Sequence, residues 1–406
     1  MDKYNSDELE APEWLNKSFL EDVLKQSEED DKVKVTDFNV SPATEKGDHF
    51  ASIMFRIEVE YLISNKPKQI SLILKTMPVI DGAKKELIGS SYAFETEISM
   101  YSEIIPKFHK ILREIGDDTI LGARMIYSSL KPIKIVIFED LAKQGYKMVP
   151  NKCLEPHEID AMLKKICRWH AISFKLIKEG DNSIKKFKEG VFNIEQQNIE
   201  DFFNAGIKGF SDLLANQDID PIYLKKFTKI KDILIQKCKD IYKLQGDLCV
   251  LNHGDFHINN TMVKIGQNGT IDDLMLVDFQ FCIAAPLVID LTYLFSTILN
   301  ADCREYRNEI IYKYHKLFIE ILSKLGYDGK MPTLLDIHME LMLYKELEVL
   351  MLVAFLPFMC AIRKKVGVDD KLMEDTELFL KFYEIPEYIN LAKQLLPELL
   401  YKGYLD

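Results

Sequence analysis

The sequence predicts an α+β chain of two lobes: a β-rich first lobe that carries one long helix, and a mainly helical second lobe. Three observations predict it. From Val33 to about Phe138 the apolar residues follow strand texture; within that stretch Tyr92–Leu112 switches to helical spacing; and after residue 155 helical periodicity dominates except over 249–279. With 406 residues, 47% of them hydrophobic and 29% charged, the chain has apolar mass for a substantial core. At roughly 150 residues per unit, that length allows two or three units or one large two-lobed enzyme.

Taken in order, Trp14, Leu15, Phe19, Leu20, Val23 and Leu24 recur at helical spacing, so residues 1–31 are expected to hold a short amphipathic helix that docks on the body. Phe55–Tyr61 alternates apolar and polar, Ile70–Lys75 is denser and more buried in character, and Ile133–Phe138 is a further strand. Phe94, Ile98, Tyr101, Ile105, Phe108 and Leu112 make one face of the long helix, with Pro106 a bend. Helices are expected over 156–180, 194–217, 221–244, 288–300, 304–325, 333–356 and 386–402. Thr261–Ile265 and Leu274–Phe279 flank Gly266–Gly269 as a hairpin. The division that follows is an extension over 1–31, a first lobe over 32–141 and a second over 142–406, with the seam near 139–147.

The formal charge of −12 argues against nucleic acid or anionic lipid as a partner of the whole chain. The seven cysteines (153, 167, 238, 249, 282, 303 and 360) are scattered and never spaced as CxxC, which favours reduced core thiols in a cytoplasmic protein over disulfides or zinc. No basic and apolar leader is visible at the N-terminus. The longest apolar run, Val349–Ile362, contains Pro357 and falls short of the roughly 20 residues of a membrane span. It reads as a buried helix.

The chemistry concentrates in Leu251–Thr261, LNHGDFHINNT, and Leu276–Gln280, LVDFQ. Asp255 and Asn260 stand five residues apart, and Asp278 follows eighteen residues later across the hairpin. Phosphoryl transfer asks a protein to orient a hydroxyl, accept its proton late and hold Mg²⁺ on hard oxygen ligands. One Asp near the attacking oxygen, an Asn carboxamide and a second Asp meet those needs. Helix caps and Asx turns explain any one of these residues but not the ordered set. Lys75 ends an apolar strand, where an unpaired buried ammonium would cost several kcal/mol; the alternative is an edge lysine reaching solvent.

This pattern resembles the protein-kinase-like superfamily, and within it the small-molecule kinases that include aminoglycoside and choline kinases. It is most similar to the ecdysteroid-kinase-like family of insects. The similarity lies in Leu72–Thr76, Glu97–Tyr101 with Pro106, Phe138–Leu141 with Gly145 and Tyr146, His253–Asn260, Val277–Gln280 and Ala285–Leu291, spread over about 35–380. The resemblance implies a bilobal protein-kinase-like fold and a set of roles. Asp255 would be the catalytic base, and Asn260 and Asp278 the Mg²⁺ ligands. Lys75 would contact the ATP phosphates, and Glu97 would fix its ammonium. Glu95 competes with Glu97, which is preferred for its spacing to Met100 and Tyr101. The segment Thr44–Ser52 would cover the phosphates through backbone N–H groups, Gly47 and the Ser52 hydroxyl. Backbone groups of Glu139 and Leu141 would meet the adenine edge, with the charges of Glu139 and Asp140 structural. His253 reads as a structural histidine bonding the loop backbone, with a proton shuttle as the alternative. His257 reads either as a phosphate-contacting cation or as a packed loop residue. Asp290, which starts a helix after Pro286, reads as a helix N-terminal or loop-bracing residue rather than a catalytic one.

The function expected is therefore ATP- and Mg²⁺-dependent phosphorylation of a small-molecule hydroxyl, on an ecdysteroid or another apolar alcohol, including xenobiotics handled in detoxification. No membrane span, nucleic-acid partner or protein partner is implied. Two alternatives stand beside it. One is a kinase of choline, ethanolamine or an aminoglycoside-like cation, which would want acidic or aromatic acceptor contacts. The other is a silent kinase fold that binds a lipophilic ligand. Apolar helix Val349–Ile362 is compatible with an apolar acceptor pocket but is more simply core. The absence of an A-P-E segment after Asp278 and the short stretch from Asp278 to Asp290 argue against a protein kinase.

Overall fold

A computed structural model describes residues 11–43, 52–78, 85, 89, 92–149, 154, 158–193, 197–299, 304–364 and 376–406. The chain divides into two compact units, Met1–Pro106 with Gly122–Lys147, and Lys107–Leu121 with Met148–Asp406. As the sequence predicts, sheet dominates the first and helix the second.

In the first unit five strands, β1 (Lys34–Pro42), β2 (Ile53–Ile63), β3 (Lys66–Thr76), β4 (Met125–Ser129) and β5 (Ile135–Glu139), form an antiparallel sheet in the order β1-β2-β3-β5-β4. Alternation decides which face each side chain takes. Phe55, Ile57, Val59 and Tyr61 of β2, Leu72 and Leu74 of β3 and Ile135 and Ile137 of β5 share one buried cluster. Helix α1 (Lys17–Glu28) closes that cluster with Leu20, Val23 and Leu24, so the N-terminal helix is part of the core. Asn16 caps it by accepting from the Phe19 N–H at 3.1 Å. Glu28 accepts from the Tyr61 hydroxyl at 2.6 Å and Lys68 at 2.9 Å, tying its other end to the sheet. The opposite face of β3 and β5 carries Lys75 and Val136, paired in register.

The predicted long helix is present as α2 (Ala93–Ser99), a widened turn Met100–Ile104, and α3 (Ile105–Glu114). The bend is placed by chemistry. Pro106 has no N–H, and the Ile105 N–H just before it bonds back five residues to Met100 O. The same device recurs at Pro357, where the Leu356 N–H bonds to Met351 O.

In the second unit α4 (Ile159–Lys178) is central. It packs on α8 (Arg307–Lys324) and on β6 (Cys249–Asn252). Elsewhere in the unit α5 (Gln197–Asn216) packs on α6 (Pro221–Ile241), and α7 (Val288–Tyr293) follows in the chain. The later helices are α9 (Leu334–Leu343), α10 (Glu346–Leu350), α11 (Leu356–Lys364) and α12 (Pro386–Tyr401). The helix expected over 333–356 is broken at Tyr344. Beyond the break Leu347, Val349 and Leu350 are buried, whereas Leu335, Met339, Met342 and Leu343 before it are exposed. A single straight helix would have had to serve both environments. The expected hairpin is β7 (Thr261–Ile265) and β8 (Ile271–Leu276), and β9 (Ile283–Pro286) pairs antiparallel with β6. Cys167, Cys238, Cys249, Cys282 and Cys360 are buried. Among the described residues no helix is long and apolar enough to cross a membrane.

Candidate active site

In the first unit Lys75 and Glu97 meet, Nζ to Oε2, at 2.6 Å, with residue exposures of 3% and 2%. Two buried charges at that distance compensate each other; either left alone would be costly. Glu95 is engaged elsewhere, 3.0 Å from Lys134. Behind α2, Tyr101 packs on Phe138 with ring centroids 4.6 Å apart. Glu139 gives its backbone N–H to Arg124 O, while the Arg124 N–H goes to the Glu139 carboxylate at 2.7 Å. Asp140 accepts from Arg56 Nε at 2.8 Å, Ser71 Oγ at 2.8 Å and the Ala142 N–H at 3.0 Å, so both charges serve the structure. Burial pushes the Asp140 carboxyl up, but those donors win and hold it below its ordinary value. Leu141 opens the short helical turn that Asp140 caps. Ser52 is buried just ahead of β2. Gly47 and the rest of Thr44–Ala51 lie outside the described residues.

The second unit holds the loop between β6 and β7. Its backbone is held by Asp290, fully buried on α7, which accepts from the His253 N–H at 2.7 Å and the Gly254 N–H at 3.0 Å. Gly254 has φ of +80°, and a Cβ there would lie 2.0 Å from Phe281 O. Only glycine fits both the conformation and the space. Asn252 donates to Ala285 O at 3.0 Å and Pro286 O at 3.2 Å, locking β6 to the end of β9. His253 sits 3.0 Å from Val277 O through Nε2, a backbone-bracing contact.

This bracing collects the predicted polar set. Asn260 Nδ2 donates to Asp255 O at 2.9 Å and reaches Asp255 Oδ2 at 3.2 Å. Its nitrogen is thus occupied by the loop, which leaves Oδ1 as the acceptor the side chain can present. The Val277 N–H donates to Asn260 O at 3.1 Å, so the hairpin brings Asp278 next to Asn260 although it lies eighteen residues further along the chain. Asp278 stands at φ 66°, ψ 63°, a left-handed conformation that a non-glycine residue keeps only when its surroundings enforce it. Gln280 Nε2 donates to its Oδ2 at 3.3 Å.

His257 Nε2 lies 3.4 Å from Asp255 Oδ2, with side-chain exposures of 21% and 18%. Burial pulls the two groups toward neutrality, but their attraction outweighs it. The Asp255 carboxyl is held below its ordinary value by the charge and hydrogen bond of His257, then by His253 and Asn260. The imidazole of His257 is raised by Asp255, with Asp278 adding to the effect. Asp255, His257, Asn260 and Asp278 therefore form one electrostatic cluster.

Several residues that brace this cluster carry no motif in the sequence. Trp169 donates to Leu251 O at 2.6 Å and stacks on Phe279 at 5.0 Å. His170 bridges Tyr314 Oη, at 2.7 Å, and Asp290 Oδ2, at 3.1 Å. The buried Lys165 binds Asp273 of β8 at 2.8 Å and Ile120 O at 2.6 Å. The signal available was a Trp–His pair on the apolar face of a helix, which reads equally well as ordinary core.

One unit thus holds a buried Lys–Glu pair, and the other an Asp beside an Asn and a second Asp. The chain belongs to the ecdysteroid kinase-like family, whose sequence profile matches residues 46–327. It is accordingly a small-molecule kinase that phosphorylates a hydroxyl. Solved structures similar to it include an aminoglycoside phosphotransferase of Streptomyces rimosus, 12% identical over 82% of this chain and 97% of that one, with a TM-score of 0.33. An aminoglycoside phosphotransferase in complex with GDP and kanamycin is 10% identical over 96% and 100%, with a TM-score of 0.37. A glucosamine kinase with glucosamine, ADP and inorganic phosphate is 11% identical over 90% and 83%, also at 0.37. No curated protein sequence matches the chain significantly.

Proposed function

We propose that the chain uses ATP and Mg²⁺ to phosphorylate a hydroxyl of an apolar alcohol, an ecdysteroid or a xenobiotic of similar character. The observation that carries the reading is the Asp255–His257–Asn260–Asp278 cluster. Asp255 is held below its ordinary value, toward the ionised form, beside an imidazole it raises in turn, and is partly open to solvent, as a group that accepts a proton from an incoming hydroxyl must be. Lys75, fixed by Glu97, offers a positive charge for phosphate in a chain whose overall charge is negative. Asn260 Oδ1 and the Asp278 carboxylate are hard oxygen donors that fit Mg²⁺, with phosphate oxygens and water completing its shell. Among the described residues no three His, Cys, Asp or Glu side chains form a metal site without such help. Bound there, Mg²⁺ supplies neutralisation of phosphate charge. Gly47 and Ser52 are proposed to aim N–H and hydroxyl groups at the phosphates, and Glu139 and Leu141 to present backbone groups to the base.

The buried aromatic residues that the charge of Asp255 reaches are compatible with an apolar acceptor. The charge of Asp255 reaches the hydroxyls of Tyr242 and Tyr293, which burial above all pushes well up. Phe192 lies 4.6 Å from the Tyr242 ring and Phe355 5.7 Å from Tyr293. Asp290, the other carboxylate whose charge reaches these hydroxyls, is committed to the loop backbone. A cationic acceptor would find few uncommitted acids among these groups.

The test is a mass-spectrometric search for phosphorylated product in a mixed panel of steroids, phenolics and amino alcohols supplied with Mg²⁺-ATP. Product from steroids or phenolics supports the reading; product confined to amino alcohols would overturn the acceptor assignment. Asp278→Ala should remove Mg²⁺-dependent nucleotide binding in a thermal-shift titration, and unchanged binding would refute the metal role.

A further inference from the structure

The second unit contains a cavity of about 730 Å³ on the side of β6 away from the catalytic loop. Its floor is Leu248, next to the start of β6, and one wall is the α9 helix. Phe174, Tyr327, Pro332 and Tyr344 line it, and Met339 and Leu343 form its edge with exposures of 58% and 66%. That volume lies in the range of small-molecule pockets, and an apolar edge left open to water on a soluble surface is a cost.

The charges in this cavity do not balance. Three carboxylates, Asp247, Asp336 and Glu340, face two ammonium groups, Lys178 and Lys330. Lys178 is engaged, 3.5 Å from Asp247 and 5.5 Å from the Phe174 ring centroid. Asp336 closes a capping box with Thr333 and is drawn down by those hydrogen bonds, with Lys330 adding a smaller electrostatic contribution. Glu340 is left over. Its Oε2 is buried without a hydrogen-bond partner. Burial first, and then the charge of Asp247, push its carboxyl up to about 7, against the Leu248 N–H, which pulls it down. A buried acceptor with no donor, at the edge of an open cavity, is a place where a ligand gains more than water does.

We propose that this cavity binds an amphipathic organic cation, its ammonium on Glu340 Oε2 and its apolar body against Phe174, Tyr327, Met339 and Leu343. Charge complementarity selects the class. An anion would meet the surplus carboxylate, and a neutral apolar molecule would leave Oε2 unpaired. A cation pairs with Oε2 while its apolar body lies against the aromatic lining of Phe174, Tyr327 and Tyr344. The site is separate from the catalytic cluster, which lies beyond the other end of β6.

Isothermal titration calorimetry of the full-length chain decides it, with 4-phenylbutylamine as probe and 4-phenylbutanol as its neutral counterpart. The amine should bind one per chain and at least about tenfold more tightly than the alcohol. Glu340→Gln should remove that advantage, and Met339→Lys, which tethers a competing ammonium at an exposed position, should weaken the amine and spare the alcohol. An amine no tighter than the alcohol, or one whose affinity both variants leave unchanged, would overturn the proposal. Should Glu340→Gln fail to fold, Met339→Lys alone decides.

Discussion

As the proposed base, Asp255 can act only while ionised, and its surroundings favour that form. Burial pushes its carboxyl up; His257, His253 and Asn260 outweigh that and hold it below its ordinary value. Two predictions belong here. Asp255→Asn keeps the shape and removes the proton acceptor, so kcat should fall by about 10²–10⁴-fold while Mg²⁺-ATP affinity in a binding titration changes little. Turnover within tenfold of the parent would contradict the assignment. His257→Gln removes the cation that lowers Asp255 and leaves the desolvation that raises it. The base then protonates at higher pH, and the acidic limb of the kcat/KM profile should move toward neutral. An unmoved limb would mean that the ion pair does not tune the base. Asp255, Asn260 and Asp278 could be found in the chain because their order is specific. His170 and Lys165 could not, because a polar residue on an apolar helix face has no meaning until its partners, Asp290 and Asp273, are brought to it.

Elements carry the site by fixing pairs across long stretches of chain. The Lys75–Glu97 pair joins β3 to α2, and the sequence left Glu95 as a rival because both glutamates lie on the same helix. What separates them is the fold of the first unit, which sets Lys134 against Glu95. Glu97→Ala should cost about 3–5 kcal/mol in denaturant unfolding, the penalty of stranding a buried ammonium. The double change Lys75→Met with Glu97→Leu should recover most of that loss. A single variant as stable as the parent would show that Lys75 is not buried in solution. The helical bends at Pro106 and Pro357 were legible as proline positions, but the widened turn ahead of each is a choice among several ways to lose one N–H.

For the molecule as a whole, the N-terminal helix is the instructive part. The spacing of Trp14 to Leu24 shows an amphipathic helix but not the surface it covers. In the folded chain Leu20, Val23 and Leu24 complete the core of the first unit, and Glu21 accepts from the Val35 N–H at 3.1 Å. Leu20→Ala should therefore cost about 2–5 kcal/mol, as in any tight core. A change below about 0.5 kcal/mol, the usual effect of a surface substitution, would show that the helix merely rests on the body.

Composition, period and motif order determined the α+β class, the strands and most helices, and the family, because each is written in neighbouring residues or in their linear order. The tertiary structure decided what depends on distance in space. It settled which glutamate meets Lys75, that Gly254 has no room for a side chain, that Asp290 holds the loop after β6, and that one carboxylate oxygen of Glu340, on α9, is buried without a donor. Such contacts join residues tens of positions apart, and their energies come from burial and approach, which a linear pattern does not contain.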